Sequence, residues 1–383
     1  MTRTIVVTGA RAPYALHLAR VFHDAGHRVV LADTFRYPVS RATRMKHRYV
    51  RLPSPRASFS DYASAVAALV RRVAPDRIVP TCEEVFFLAA IRDIRGIDIP
   101  LFAPRFDLLA KVHNKADFAG LAVGLGADPP LTLRFDAGLD LATLPAPVGS
   151  LVFTPAWSRF GSRDLIRPLA ADIAKLHPSP VDPWVAQTYL PGEEISAFAV
   201  ANAGRLLALQ SYRPTYRVGH GAAVAFEAVD VPAVQRFVSG LVSRLNWTGQ
   251  ISFDFRRDEA GELHVIECNP RTTSGVHFFG PGDGLARSFL DGAPAQPSLE
   301  GAMTLPLAML AYGLPYALRG NGIGQWWRDF RQMRDISRWP GDRNLLLAQL
   351  LALGEIAIKA ARERKGLVAT SVRDIEWDGE PLR

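Results

Sequence analysis

Cysteine is nearly missing: only Cys82 and Cys268 occur in 383 residues. Two thiols can close one bridge at most, so no disulfide framework shapes this chain, and each lies in an apolar, strand-like run that suits a small buried hydrophobe. Long apolar runs are missing too. "MTLPLAMLAYGLPYAL" and "NLLLAQLLALGEIAIKAA" carry prolines or charges and fall short of the roughly 20 apolar residues that a spanning helix needs. The opening "MTRTIVVTGA" has too short an apolar run for a secretory core, so a cytoplasmic protein is expected. There is no block of like charge. The 45 basic and 37 acidic side chains leave a formal charge of +8, scattered as single arginines, which gives no reason to expect a nucleic-acid partner and suits a small anionic substrate. Repeats and low-complexity tracts are also absent. The length speaks against one ordinary core and for two or three domains.

What is present begins with alternation. "TIVVT" reads as a buried strand, "YALHLARVFHDAG" as a helix and "HRVVLAD" as a second strand ending in Asp33; "DYASAVAALVRRVAP" and "RIVPT" repeat the pattern. This βαβ order predicts a Rossmann-like α/β domain over residues 1–105. Its first loop looks like a dinucleotide fingerprint but offers Ala10, Arg11, Ala12 and Pro13 after Gly9, where glycines are needed for backbone to approach a pyrophosphate. An NAD(P)-dependent reductase is therefore the outlying alternative. Glu83 and Glu84, in "TCEEVFFLA", fall at the carboxyl edge of the predicted sheet; they read equally as substrate contacts or as an acidic pair at a helix N-terminus.

Residues 106–295 predict an α+β domain. A helical stretch runs to Pro129 and Pro130, and then come "SLVFTPAW", "WVAQTYLPGEEISAFAVA", "RLLALQSY" and "AAVAFEAV" as strands, and "PAVQRFVSGLVSRLN" as a helix. Residues 296–383 predict a mainly helical C-terminal extension. Its Trp326, Trp327 and Trp339, interleaved with arginines, favour packing on the core over the alternative of an anionic membrane surface.

The densest chemistry lies at the end of the central region. In "ELHVIECNPRTTSG", Glu267 and Asn269 are two apart on a strand and share a face. A hairpin with "GQISFDFRRDEAGEL" would bring Asp254 alongside. Gathering two carboxylates and an amide oxygen on a buried face opposes folding. A hard divalent cation removes that objection.

"HNKADF", "TPAWSRFGSR", "VAQTYLPGEEIS" and then Asp254, Glu267, Asn269 and Arg271 follow one another in an order that resembles the ATP-grasp superfamily. It resembles particularly members like carbamoyl-phosphate synthase and biotin carboxylase, whose metal strand reads E-x-N-x-R, and the resemblance covers roughly residues 1 to 290. It implies a pre-ATP-grasp domain ahead of a two-lobed ATP-grasp domain hinged near 187–194. Lys115 would reach the ATP phosphates. Gln187, Thr188, Tyr189 and Leu190 would form the hinge, with backbone groups of Thr188 and Leu190 on the adenine edge, Glu194 on the ribose hydroxyls and Glu193 toward solvent. Ser158, Arg159, Gly161 and Arg163 would belong to a loop closing over the triphosphate, glycine permitting close approach and the arginines neutralising charge.

In the same resemblance Asp254, Glu267 and Asn269 would hold magnesium, two ions in all, while Arg271 and Lys115 would serve the transferred phosphoryl group. The implied reaction is an ATP-dependent carboxylate-amine ligation through an acyl phosphate, with a small carboxylic acid and an amine as substrates. One departure stands out: where family members carry a second lysine before the phosphate loop, this chain has Thr154. Either a loop arginine substitutes, or the protein is a degenerate nucleotide- or metabolite-binding relative without turnover. Arg213 and His220, near a Gly-rich turn, join Glu83 and Glu84 as candidate substrate contacts.

Overall fold

The computed structural model describes residues 1–138, 143–157, 163–217, 223–319 and 322–382. The first strand β1 (Thr4–Thr8), α1 (Pro13–Asp24) and β2 (Arg28–Asp33) are followed by β3 (Arg48–Arg51), α2 (Phe59–Val73), β4 (Arg77–Val79) and α3 (Glu84–Asp93). The strands form a parallel sheet in the order β3-β2-β1-β4. Ile5, Val6 and Val7 are wholly buried, as strands covered on both faces require. The Rossmann-like expectation for this region is met.

Helices α4 (Phe106–His113) and α5 (Lys115–Val123) meet at Asn114, whose side chain accepts from the Ala116 and Asp117 amides and so caps α5. A small antiparallel sheet follows, made of β5 (Thr132–Phe135), β6 (Leu151–Pro155), β7 (Leu165–Ile166) and, after α6 (Ala170–Ile173), β8 (Trp184–Thr188), in the order β5-β8-β6-β7. Phe135, Leu151, Phe153 and Trp184 fill its own core.

The largest sheet is built from β9 (Glu193–Asn202), β10 (Arg205–Arg217), β11 (Ala223–Val229), β12 (Gly249–Arg257) and β13 (Leu263–Asn269). Helix α7 (Pro232–Arg244) covers one face, packing Val234, Val238 and Leu241 with Ile251, Phe253 and Phe255 in one core. The apolar run from Trp184 to Ala201 looks continuous in sequence but is two strands in two different sheets. The break falls at Gly192, with φ +123°, where a Cβ would lie 2.1 Å from the Arg257 carbonyl oxygen. Only glycine fits there.

The remaining elements are α8 (Leu285–Leu290), β14 (Ala302–Thr304), α9 (Pro306–Ala308), α10 (Leu314–Arg319), α11 (Ile323–Gln332), β15 (Arg334–Asp335), α12 (Leu346–Glu363) and α13 (Leu367–Val372). The C-terminal segment is helical, and it also lends β14 and β15 to the large sheet, giving β13-β12-β9-β10-β11-β14-β15. Strands of three and two residues leave no periodicity to read. Trp326 is buried and stacks on Phe330, while the Trp339 ring meets His17 edge-on at 4.9 Å; Trp327 is exposed. The tail then returns to the first domain, where Trp377 stacks on Phe86 with centroids 4.8 Å apart. Among the described residues no helix is long and apolar enough to cross a membrane.

Candidate active site

The β12–β13 hairpin sets Asp254 opposite Glu267 and Ser252 opposite Asn269. Across β9, Ser196 pairs with Asp254 and its hydroxyl donates to Asp254 Oδ1 at 2.5 Å. Asn269 Nδ2 donates to both acids, to Asp254 Oδ2 and Glu267 Oε1, each at 3.1 Å. Capping by Asn114 places Lys115 at the first position of α5, from which its Nζ reaches Glu267 Oε2 at 3.2 Å. Arg271, just past the hairpin, donates from Nη2 to Asn269 Oδ1 at 2.9 Å. The convergence read from the strand period is therefore real, and Lys115 and Arg271 join it.

The two carboxylates are driven apart electrostatically. Burial raises the Asp254 pKa, and the neighbouring charges of Glu267 and Glu194 add to the rise. Glu267 moves the other way: burial opposes ionisation, but attraction to Lys115 and hydrogen bonds from Asn269, Asp254 and Lys115 outweigh it and hold the carboxyl below its ordinary range. A proton held between the acids thus belongs to Asp254.

These groups floor a cavity of about 390 Å³ between the small and large sheets, also lined by Thr154, Gln187, Thr188, Tyr189, Leu190 and Glu194. Gln187 Nε2 donates to Thr132 Oγ1 at 3.1 Å, and the Thr188 N–H donates to the Leu131 carbonyl at 3.0 Å. Glu194 is held by Arg217 and, at 3.3 Å, by Arg256. The Thr154 hydroxyl donates to Asp164 Oδ1 at 2.5 Å, so the position that departs from the family pattern has an acid for a neighbour.

Other expected contacts lie elsewhere. Arg163 is bound to Asp182 at 2.6 Å and sits over the Trp184 ring, on the surface. Arg213 pairs with Glu193 and, at 3.5 Å, with Glu227; strand alternation turns Tyr212 and Pro214 into the cavity and Arg213 to the opposite face. Glu193, expected toward solvent, also receives Arg257 at 3.1 Å and belongs to that ion-pair network. Glu84 is buried away from the cavity and accepts from Thr8 Oγ1 at 2.7 Å and from the Thr81 and Cys82 amides, tying β1 to the start of α3. Of the two readings for Glu84, the helix N-terminus is the one that this arrangement fits. Glu83, equally buried, lies behind Arg271, with Oε1 3.7 Å from its Nε. Ser158, Arg159, Gly161 and His220 lie outside the described residues.

Reading the sequence did not single out Ser196, Arg256, Tyr212, Asp164 or Arg217. Ser196 was accessible, being two residues from Glu194 on the same strand face. The others depend on pairings that no local spacing reveals. At the edge of the first sheet, Asp33 accepts from the Arg11 amide and guanidinium, each at 2.6 Å, and Arg11 also meets Asp374 at 2.5 Å. The acid that would hold a dinucleotide ribose is thus committed to the protein itself.

No protein-family model matches the sequence, and no curated protein does. Solved structures do share its fold. N5-carboxyaminoimidazole synthetase from Staphylococcus aureus complexed with ADP aligns with a TM-score of 0.62 at 14% identity, covering 92% of this chain and 96% of that one. Biotin carboxylase from Campylobacter jejuni gives 0.57 at 14% identity, covering 78% and 72%. L-amino acid ligase from Bacillus licheniformis gives 0.55 at 16% identity, covering 76% and 74%. Identity this low speaks for architecture, and by architecture the chain has the ATP-grasp fold: a Rossmann-like α/β domain, then an α+β ATP-grasp domain and a helical C-terminal segment.

Proposed function

We propose that this protein is an ATP-dependent carboxylate-amine ligase. The observation that carries the reading is the convergence of Lys115, Asp254, Glu267, Asn269 and Arg271 on the floor of one cavity. The similar proteins named above are by name a synthetase, a carboxylase and a ligase, and the synthetase was solved with ADP. In this reading residues 106–295 are the nucleotide-binding unit, with the connector 187–194 as its hinge. The Thr188 carbonyl, its N–H being engaged, and the Leu190 backbone would meet the adenine edge, and Glu194 the ribose.

The donor set fits magnesium. Among the described residues no three His, Cys, Asp or Glu side chains gather, but two carboxylates and one carboxamide are oxygen donors, and this ion keeps much of its shell as water and phosphate. Asp254, Glu267 and Asn269 would hold it, two ions in all, and bound there it would offset charge on the triphosphate. Binding would require Asn269 to turn its oxygen toward the acids, and Lys115 to pass from Glu267 to a phosphate. Arg271, backed by Glu83, would steady the γ-phosphoryl group.

A carboxylate oxygen of the substrate acid would attack the γ-phosphorus and release ADP. An amine nitrogen would then attack the acyl carbon, expel inorganic phosphate and lose a proton, leaving an amide. Positioning and charge stabilisation supply most of such catalysis. The second reading, a binding protein without turnover, is favoured by one observation, the Thr154–Asp164 pair, which adds an acid where a cation is usual. Incubation with ATP, magnesium and a pool of acids and amines separates the two. ADP release that depends on an added acid supports the ligase; MgATP binding with no acid-dependent release supports the binding protein.

A further inference from the structure

Beyond the carboxylates the same cavity changes character. Tyr212 lies opposite Ser196, the partner of Asp254, across the β9–β10 pair. From Tyr212 the lining runs to Phe226, with ring centroids 5.7 Å apart, and from Phe226 to His277, stacked at 5.9 Å and 25°. Tyr14, from the first helix of the Rossmann-like domain, approaches His277 at 6.2 Å. Ile336 from the C-terminal segment packs on the Tyr212–Phe226 cluster and lines the cavity as well. Three separate regions of the chain thus close an apolar, largely aromatic compartment onto the acids.

Its charge is as telling as its shape. Among the described residues the cations lining the cavity are Lys115, Arg217, Arg256 and Arg271, each within 4 Å of Glu267, Glu194 or Glu83. None lies at the aromatic end. His277 adds none either: burial, with His17 and Arg20 nearby, keeps its ring neutral. A phosphate placed there would be buried without a counter-charge, a costly arrangement. An apolar body would instead pack on the half-buried Tyr14 and Ile336 and on the buried Tyr212 and Phe226 that line the cavity.

We infer that the acid activated at this site has an uncharged, apolar body, branched or ring-bearing, and carries no phosphate. Its carboxylate lies by Arg271 and its body among Tyr14, Tyr212, Phe226 and Ile336. This rests on the ligase reading and deepens it by naming the substrate class.

The test uses the full chain with MgATP and hydroxylamine, whose nitrogen displaces phosphate from any acyl phosphate to give a hydroxamate, so the natural amine need not be known. Phenylacetate and 4-methylpentanoate are compared with acetate and 3-phosphoglycerate. The expected result is a kcat/KM for the apolar acids on the order of tenfold or more above the other two. Ile336→Phe, which narrows the compartment, is expected to lower kcat/KM for phenylacetate more than for acetate, in protein whose thermal melt shows it folded. Equal or better use of 3-phosphoglycerate overturns the inference, as does MgADP-bound protein that takes up neither apolar acid by saturation-transfer NMR. Calorimetry with MgATP keeps the two failures apart. Absence of nucleotide uptake removes the ligase reading and this inference with it, whereas nucleotide uptake with the wrong acid preference removes the inference alone.

Discussion

Lys115 Nζ and Glu267 Oε2 stand 3.2 Å apart, joining the N-terminus of one helix to the second strand of the acidic hairpin. The pair helps hold Glu267 in its charged form. Replacing Lys115 by alanine should cost roughly 100-fold or more in acid-dependent ADP release, the scale of removing one group that stabilises transition-state charge. It should also release Glu267 from its lowered pKa. A depressed carboxylate lends stability above its unfolded pKa and loses it as pH falls through the folded value. The stability gap between wild type and Lys115→Ala, measured in magnesium-free buffer, should accordingly be full at neutral pH and vanish in strong acid.

Thr154 tests whether the missing lysine matters. Its hydroxyl spends its hydrogen bond on Asp164. Thr154→Lys would pair with that acid and place a cation toward the phosphates, tightening MgATP binding on the order of tenfold. Titration calorimetry reads this directly; an unchanged Kd would mean that position 154 does not face the nucleotide.

Buried histidines predict acid lability. Burial, aided by Arg20, lowers the His17 pKa to about 3, and burial lowers that of His113 to about 4. The unfolded chain binds these protons first, so stability should fall as pH drops below about 6.5 and continue to fall toward the folded values. Asp254, pushed upward, acts in the opposite direction. The informative quantity is therefore the difference between wild type and His113→Gln: between pH 6 and 5 the variant's denaturation free energy should decline less steeply, by about 1.4 kcal/mol per pH unit for the one proton removed.

The returning tail predicts a stability effect behind the cavity wall. Trp377 stacks on Phe86, approaches Phe106 and Trp157, and gives its backbone N–H to Glu83 and its indole N–H to the Glu380 carbonyl. Trp377→Ala should cost about 3–5 kcal/mol, as truncation of a large buried side chain does. Chemical denaturation checks it, and a loss below 1 kcal/mol would mean that the tail rests on the surface without anchoring there.

The acidic hairpin was legible because its information is local: Glu267 and Asn269 differ by one strand period, and Asp254 lies within reach of a single turn. Lys115 followed from resemblance and owes its direction to the Asn114 cap. Other positions carried no such signal. Asp164 and Arg217 gain meaning only from Thr154 and Glu194, which approach them through sheet pairing. The division of the Trp184–Ala201 run between two sheets turns on one backbone contact at Gly192. Glu84 satisfied an ordinary helix-start pattern, and only burial shows that its carboxylate serves Thr8 and not a ligand. Arg163 and Arg213 were read by proximity in sequence, whereas strand alternation and the pull of Asp182 and Glu193 decided their direction.

The clasp of Arg11 by Asp33 and Asp374 spans 363 positions of sequence. At about 5–20 residues per second of synthesis, Asp374 emerges roughly 20–70 s after Arg11. Until then the opening sheet carries a guanidinium with half of its counter-charge. Completion of the Rossmann-like domain is thereby delayed until Asp374 has emerged, and a ribosome-bound chain that stops short of it should still yield to protease in the first sheet.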